Sequence, residues 1–278
     1  MHQTIITSNS PWWRINFREI WEYRDLIGIM AKRDLTSAYK QSVLGPAWFV
    51  IQPLLTTLVF TVVFGNIAKI GTDGVPPILF YMSGMLIWNF FANVMNATAG
   101  TLTGNAGLFR KVYFPRLCIP VVKIIVTGVK TALNFVMFLG FWLYYRYAMD
   151  ASLPSAWHML GLLPILVFGA VLGVGMGLLL SAMTIKYRDV SFFLPFFAQL
   201  WMYASPVIYP SSTVSARWHW LLLGNPMAWA VEATRRCLTG QGTFSVPQMG
   251  LGLGMAVLVL LAGLLIFNRA QRTFVDVV

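Results

Sequence analysis

Residues 33–53 read RDLTSAYKQSVLGPAWFVIQP, and the fold follows from the change of character inside this stretch. Up to Lys40 it is charged and amphipathic, and beyond it no charged residue occurs before Lys69. Such a boundary places the polypeptide where water gives way to a bilayer. Gly45-Pro46 marks a helix start, because a proline in the first turn sacrifices no intrahelical hydrogen bond. Trp48 follows at the depth where an amphipathic ring favours the lipid headgroups.

The whole chain has the same bias. Hydrophobic residues make up 58% of it and charged residues 10%, against about a quarter charged in soluble domains. Six apolar runs have spanning length, at about 44–64, 78–102, 119–145, 157–183, 191–209 and 246–267. The expected fold is therefore all-α and integral to a membrane, one domain over 1–278. The net charge of +11 does not point to nucleic acid, because the basic residues flank apolar spans. The first forty residues are too charged for the apolar core of a cleavable signal peptide. Cys118 and Cys237 stand alone, and His2, His158 and His219 have no ligand spacing, so no metal site is expected.

Upstream of the boundary, residues 16–39 predict a helix. Arg18, Glu22, Asp25, Lys32 and Arg33 share one face, opposite Phe17, Ile20, Trp21, Ile27, Met30, Ala31 and Leu35. This pattern fits a helix lying in the membrane interface, with an ordinary soluble surface helix as the alternative. The third span carries Lys123, Thr127, Lys130, Thr131 and Asn134 on one face. Lys130 lies roughly 15 Å beyond Pro120, near mid-bilayer. There a lipid-facing lysine costs about 2.5 kcal/mol or more. Either the stripe faces a water-filled lumen or it is packed against protein. The fourth span repeats glycine at 169, 173 and 177 with Gly175 between, a ridge for close helix packing. The fifth is crowded with Phe192, Phe193, Phe196, Phe197, Trp201 and Tyr203, which fits core packing or a ring-lined conduit for sugars. Residues 211–242 hold two apolar halves, each too short to cross, broken at Gly224-Asn225-Pro226; they predict a short re-entrant helical pair.

Lysine and arginine fix the orientation. Arg14, Arg18, Arg24, Lys32, Arg33, Lys40, Arg110, Lys111, Arg116, Lys186, Arg188, Arg269 and Arg272 fall on one side. Only Lys69, Arg146, Arg217, Arg235 and Arg236 fall on the other. Both termini are therefore expected in the cytoplasm. The dipeptide Gly-Lys is absent, so no P-loop is encoded, and the few acidic residues offer no intramembrane proton relay.

Arg33, Asp34, Leu35, Tyr39, Lys40, Leu44, Gly45, Trp48, Gln52 and Pro53 together resemble the opening signature of the permease subunit of type 2 ABC exporters. The branch is that of the Wzm-like, capsule and teichoic-acid permeases of polysaccharide export. The resemblance implies a homodimer of permeases in the bacterial inner membrane, driven by two copies of a separate ATP-binding subunit. ATP and magnesium would sit on that partner, with no cofactor and no catalytic residue in this chain. It implies an intracellular coupling segment at Asn105, Leu108, Phe109, Arg110 and Lys111, joined by the turn Tyr187, Arg188 and Asp189. Asn225 and Pro226 would match the hinge of a periplasmic gate. The expected conduit for a lipid-linked polysaccharide comprises Trp48, Trp88, Phe91, Lys130, Asn134, Phe192, Phe196, Trp201 and Tyr203. Arg33, Tyr39, Lys40 and Arg116 flank the entrance. Their basic members suit a lipid pyrophosphate or anionic lipid in general. The alternative function is a membrane-embedded enzyme of glycan assembly, but no large aqueous loop with acidic or nucleophilic groups is visible.

Overall fold

The computed structural model of the chain describes residues 17–40, 42–109 and 111–277, with backbone alone for Phe17, Ala106 and 272–277. Arg14, Asn16 and Arg110 lie outside the described residues, as does the side chain of Arg272. Among the described residues there are helices and connections but no strands. Five helices are long and apolar enough to cross a membrane.

The interface segment forms two helices, α1 (Phe17–Glu22) and α2 (Arg24–Tyr39), which meet at Tyr23. The first long helix begins with a tight turn at Gly45–Ala47, where Gly45 takes a left-handed φ of 53°. It continues as α3 (Trp48–Phe60) and ends in a wider π turn to Ile67. Its hydroxyls are satisfied locally: Thr57 donates to the Pro53 carbonyl at 2.9 Å and Thr61 to the Thr57 carbonyl at 2.8 Å. A bilayer offers them no water, so this back-bonding is the available solution. The rest of α3 is half-buried or exposed, with only Thr57 fully buried.

α4 (Pro77–Ala99) is the centre of the molecule. Sixteen of its side chains are buried, among them Phe80, Tyr81, Phe91 and Met95 with no exposure. A helix apolar on all sides belongs inside other helices. It packs against α7 (Cys118–Ala148), α8 (Leu162–Lys186) and α11 (Pro226–Thr239). Two short helices, α5 (Thr101–Gly104) and α6 (Ala106–Phe109), connect α4 to α7. α9 (Asp189–Tyr203) follows α8, α10 (His219–Gly224) precedes α11, and α12 (Val246–Val277) closes the chain.

α8 is joined on two sides through its glycines. A Cβ at Gly177 would lie 2.5 Å from the Thr98 Cβ and 2.7 Å from the Met95 carbonyl oxygen on α4. One at Gly175 would lie 2.7 Å from the Leu260 backbone nitrogen on α12. Lipid removes the hydrophobic drive between helices, so close van der Waals contact at small residues does the joining.

The predicted span at 191–209 takes a different form. Its helix, α9, has fifteen residues, giving about 22 Å of rise against a hydrocarbon core of about 30 Å. It stops because Pro206 follows and because Asn225 captures the turn: its Nδ2 donates to the Ala204 carbonyl at 3.1 Å and to the Ser205 hydroxyl at 2.9 Å.

Candidate functional site

The apolar edge of α2, Ile27, Met30 and Ala31, is buried on the first turns of α7 against Cys118, Ile119, Val122 and Val126. One turn further, the Lys123 ammonium donates to Asp34 Oδ2 at 2.7 Å and Arg33 to Asp34 Oδ1 at 2.9 Å. Beyond this pair lies a cavity of about 420 Å³ lined by Asp34, Ser37, Asn93, Lys123, Thr127 and Lys130. The Lys130 ammonium lies 4.8 Å from the centre of the Phe49 ring on α3. Thr127 and Thr131 are buried, and the half-buried Asn134 keeps its carbonyl oxygen without a partner. The polar stripe of the third span thus meets the interface helix, an arrangement its own spacing does not reveal.

Burial alone would push the Asp34 carboxyl up, but the hydrogen bonds and charges of Lys123 and Arg33 outweigh it and hold the group below the usual carboxylate range. A lowered native pKa contributes stability above the ordinary carboxylate pKa and loses it as pH falls through the native value. Asp34→Asn is therefore expected to weaken the docking of α2 by about 1–3 kcal/mol at pH 7. Faster tryptic cleavage at Arg24, Lys32 and Arg33 reports it. In wild type the docking should loosen only below about pH 4, where faster amide hydrogen exchange over α2 reports it.

The remaining entrance residues are spread out. Arg33 and Lys40 are exposed, and Tyr39 meets the edge of Phe49 with ring centres 6.5 Å apart. Arg116 donates to the Gln271 carbonyl of α12 and lies 5.4 Å from the Phe109 ring centre, so it ties two segments of the same end together. Trp48 is exposed at the start of α3.

The segment assigned to coupling is compact. Asn105 Nδ2 donates to the Thr101 carbonyl at 3.0 Å, Leu108 and Phe109 are half-buried, and Phe109 meets Phe114 at 5.3 Å. Lys111, Val112 and Tyr113 are exposed, and so are Tyr187, Arg188 and Asp189 between α8 and α9. Both turns sit at one end of the molecule, because Thr184 hydrogen-bonds the Ala99 carbonyl at 3.5 Å. Leu102 there joins Leu178, Leu264 and Phe267 in a buried cluster.

The aromatic set divides. Trp88 and Phe91 are buried and meet the Trp201 ring at 6.3 and 5.0 Å. Phe192, Phe196 and Tyr203 face outward, 74%, 55% and 46% exposed. Trp201 also meets the Phe197 ring at 5.5 Å and donates its indole N–H to Asn225 Oδ1 at 3.0 Å. That same oxygen caps α11 by accepting from the Met227 amide at 2.9 Å, and Pro226 occupies the first helical position. The Asn225-Pro226 break is thus tied to α9.

A buried ion pair at the opposite end escaped sequence reading. Glu232 and Arg235 are 3% and 1% exposed and pair at 2.6 Å. Arg235 also donates to the Pro206 carbonyl at 2.8 Å, and its guanidinium carbon lies 3.8 Å from the centre of the Phe80 ring. Glu232 accepts from the Ser211 and Thr243 amides at 3.3 and 2.9 Å. The available signal was opposite charges three apart on the helix that follows Pro226, with an apolar run on its N-terminal side.

The ABC-2 type transporter family matches residues 25–238. The chain is 24% identical to the O-antigen export system permease protein RfbA of Klebsiella pneumoniae, over 91% of this chain and 95% of that protein. It is 29% identical to the RfbA protein of Myxococcus xanthus, over 76% and 78% of the two. To the polysialic acid transport protein KpsM of Escherichia coli it is 21% identical, over 74% and 78%. With the family's pattern running from α2 through α11, the buried Glu232–Arg235 pair included, the chain belongs to the ABC-2 type transporter family.

Proposed function

We propose that this chain is the permease subunit of an ABC exporter that carries a lipid-linked polysaccharide, of the O-antigen kind, across the bacterial inner membrane. The observation that carries the reading is the likeness to O-antigen export permeases over 91% of the chain. It is a multi-pass membrane protein of a transporter family, which sets aside a glycan-assembly enzyme. Its energy comes from an ATP-binding partner, as the family requires, and two permeases and two such partners form the working complex.

The basic residues Lys111, Arg116, Lys186, Arg188 and Arg269 gather at the end where α4, α8 and α12 finish and α7 begins. This end is the cytoplasmic one by charge, and both termini lie there, with α9 and the turn after it completing the sixth crossing. The exposed turns at 111–113 and 187–189 receive the motion of the ATPases. The cavity beneath α2, with Lys130 on its wall, flanks the entrance for the anionic carrier lipid. The outward rings of α9 and the exposed face of α3 line the space between two copies.

The experiment is reconstitution in vesicles with and without its ATP-binding partner subunit. ATP-dependent passage of lipid-linked glycan is expected only when both are present, at least tenfold above either alone. Passage with this chain alone, or turnover of a sugar donor by it, overturns the reading.

A further inference from the structure

A second cavity, about 510 Å³, opens at the outer end between α10, α11 and the start of α12. Its volume falls in the range of roughly 300–1,000 Å³ typical of small-ligand sites. Trp229 and Glu232 are buried on its floor, and Arg236, Thr243, Phe244 and Gln248 form its rim. The cavity depends on one backbone approach. At Gly242 φ is 152°, and an added Cβ would overlap the Glu232 carbonyl oxygen and stand 3.0 Å from the Arg236 amide. Only glycine lets the strand of chain at 242–244 close over α11 and bring Thr243 and Phe244 above Glu232.

The wall chemistry is specific. The charge of Glu232 is cancelled by Arg235 at 2.6 Å, and its oxygens also accept the Ser211 and Thr243 amides. Thr243 and Ser211 share a hydroxyl contact at 2.6 Å. Arg236 is different: its guanidinium carbon lies 5.8 Å from the Phe244 ring centre, and no carboxylate pairs with it among the described residues. The cavity therefore combines one accessible aromatic face, that of Phe244, a neutral carboxylate–hydroxyl–amide floor and one unneutralised planar cation.

We propose that this outer cavity is a sugar-binding subsite that holds a single pyranose unit, with preference for a unit bearing a carboxylate. Phe244 offers a flat apolar face to the ring C–H groups, over a floor closed by the buried Trp229. The Gln248 amide and the Ser211 and Thr243 hydroxyls supply donors and acceptors for ring hydroxyls. Arg236 receives the sugar carboxylate through parallel N–H bonds. The assignment of an exported glycan as the source of the unit rests on the function proposed above; the binding itself does not. In that setting the subsite holds the emerging polymer at the outer face between strokes.

Saturation-transfer NMR on the full chain with its ATPase in lipid nanodiscs tests it, with D-glucuronate and D-glucose as probes. Glucuronate is expected to bind saturably and at least fivefold more tightly than glucose. Arg236→Gln, an exposed change, should bring glucuronate to the level of glucose, and Gln248→Leu should weaken both at least fivefold. An unchanged melting temperature certifies each variant as folded. Absence of saturable binding, equal binding of the two sugars, or binding indifferent to both variants overturns the proposal. Sugar binding without ATP-driven export would overturn the function above and leave this site; export without sugar binding would do the reverse.

Discussion

Arg235→Met is expected to destabilise the protein by about 3–5 kcal/mol, because it strands the Glu232 carboxylate in a buried setting. Two amide donors, from Ser211 and Thr243, would remain on that carboxylate, but its one counter-charge would be gone. The guanidinium does more than neutralise. It satisfies the Pro206 carbonyl and sits against the Phe80 ring, so its loss frees the Pro206 end of the 206–211 loop and leaves the loop held to α11 through Ser211 alone. Thermal unfolding of the detergent-purified protein should show the midpoint falling by roughly 10 °C. The half-buried Cys237, on the same helix, should become more reactive to maleimide. The double variant Glu232→Gln with Arg235→Met removes both charges and should recover a substantial part of the loss. A single variant as stable as wild type, or a double variant no better than the single, would show that the pair does not hold this end together.

The second large effect belongs to α8. Gly177→Ala should raise helix propensity by about 1 kcal/mol. The new methyl meets the Thr98 Cβ at 2.5 Å and a backbone oxygen at 2.7 Å, neither of which is the flexible tip of a side chain. Overpacking of about 1–3 kcal/mol or more then outweighs the gain, and Gly177→Leu should abolish folded protein. Gly175→Leu should act likewise through the α12 backbone. The control is Gly128→Ala on α7, where an added Cβ meets nothing within 4 Å. There only propensity acts, and stability should hold or rise. Yield of monodisperse protein and its melting temperature decide the matter; equal behaviour at 177 and 128 would refute the close-packing account.

These two features differ in how visible they were beforehand. Four-residue spacing of Gly169, Gly173 and Gly177 announced a close-packed ridge, since a helix carries its own periodicity in the sequence. Which partner each side of α8 meets was not announced. The Glu232–Arg235 pair looked like two outer-surface charges, because its burial is created by Phe80 and Pro206, far away in the chain. The five long apolar helices were legible from composition and length, as was the break between charged α2 and apolar α3. The predicted span at 191–209 was less so. Its rings counted as spanning length, yet the helix stops at Tyr203 once Asn225, over twenty residues on, captures the turn after it. The polar stripe on the third span was correctly grouped, but pairing Lys123 with Asp34 needed the docking of a helix 89 positions away.

The central position of α4 has a mechanical consequence. Near its start it carries Phe80, against which Arg235 is seated, and near its finish Met95 and Thr98, which touch Gly177. Twenty-three residues of helix make a rod about 35 Å long that carries both attachments, about 27 Å apart. Pivoting it by roughly 5° displaces the far tip by about 3 Å, enough to exchange one side-chain contact for the next. On the function proposed above, a lever of this kind would deliver a push received by the turns at one end to the ion pair at the other without any residue unfolding along the way.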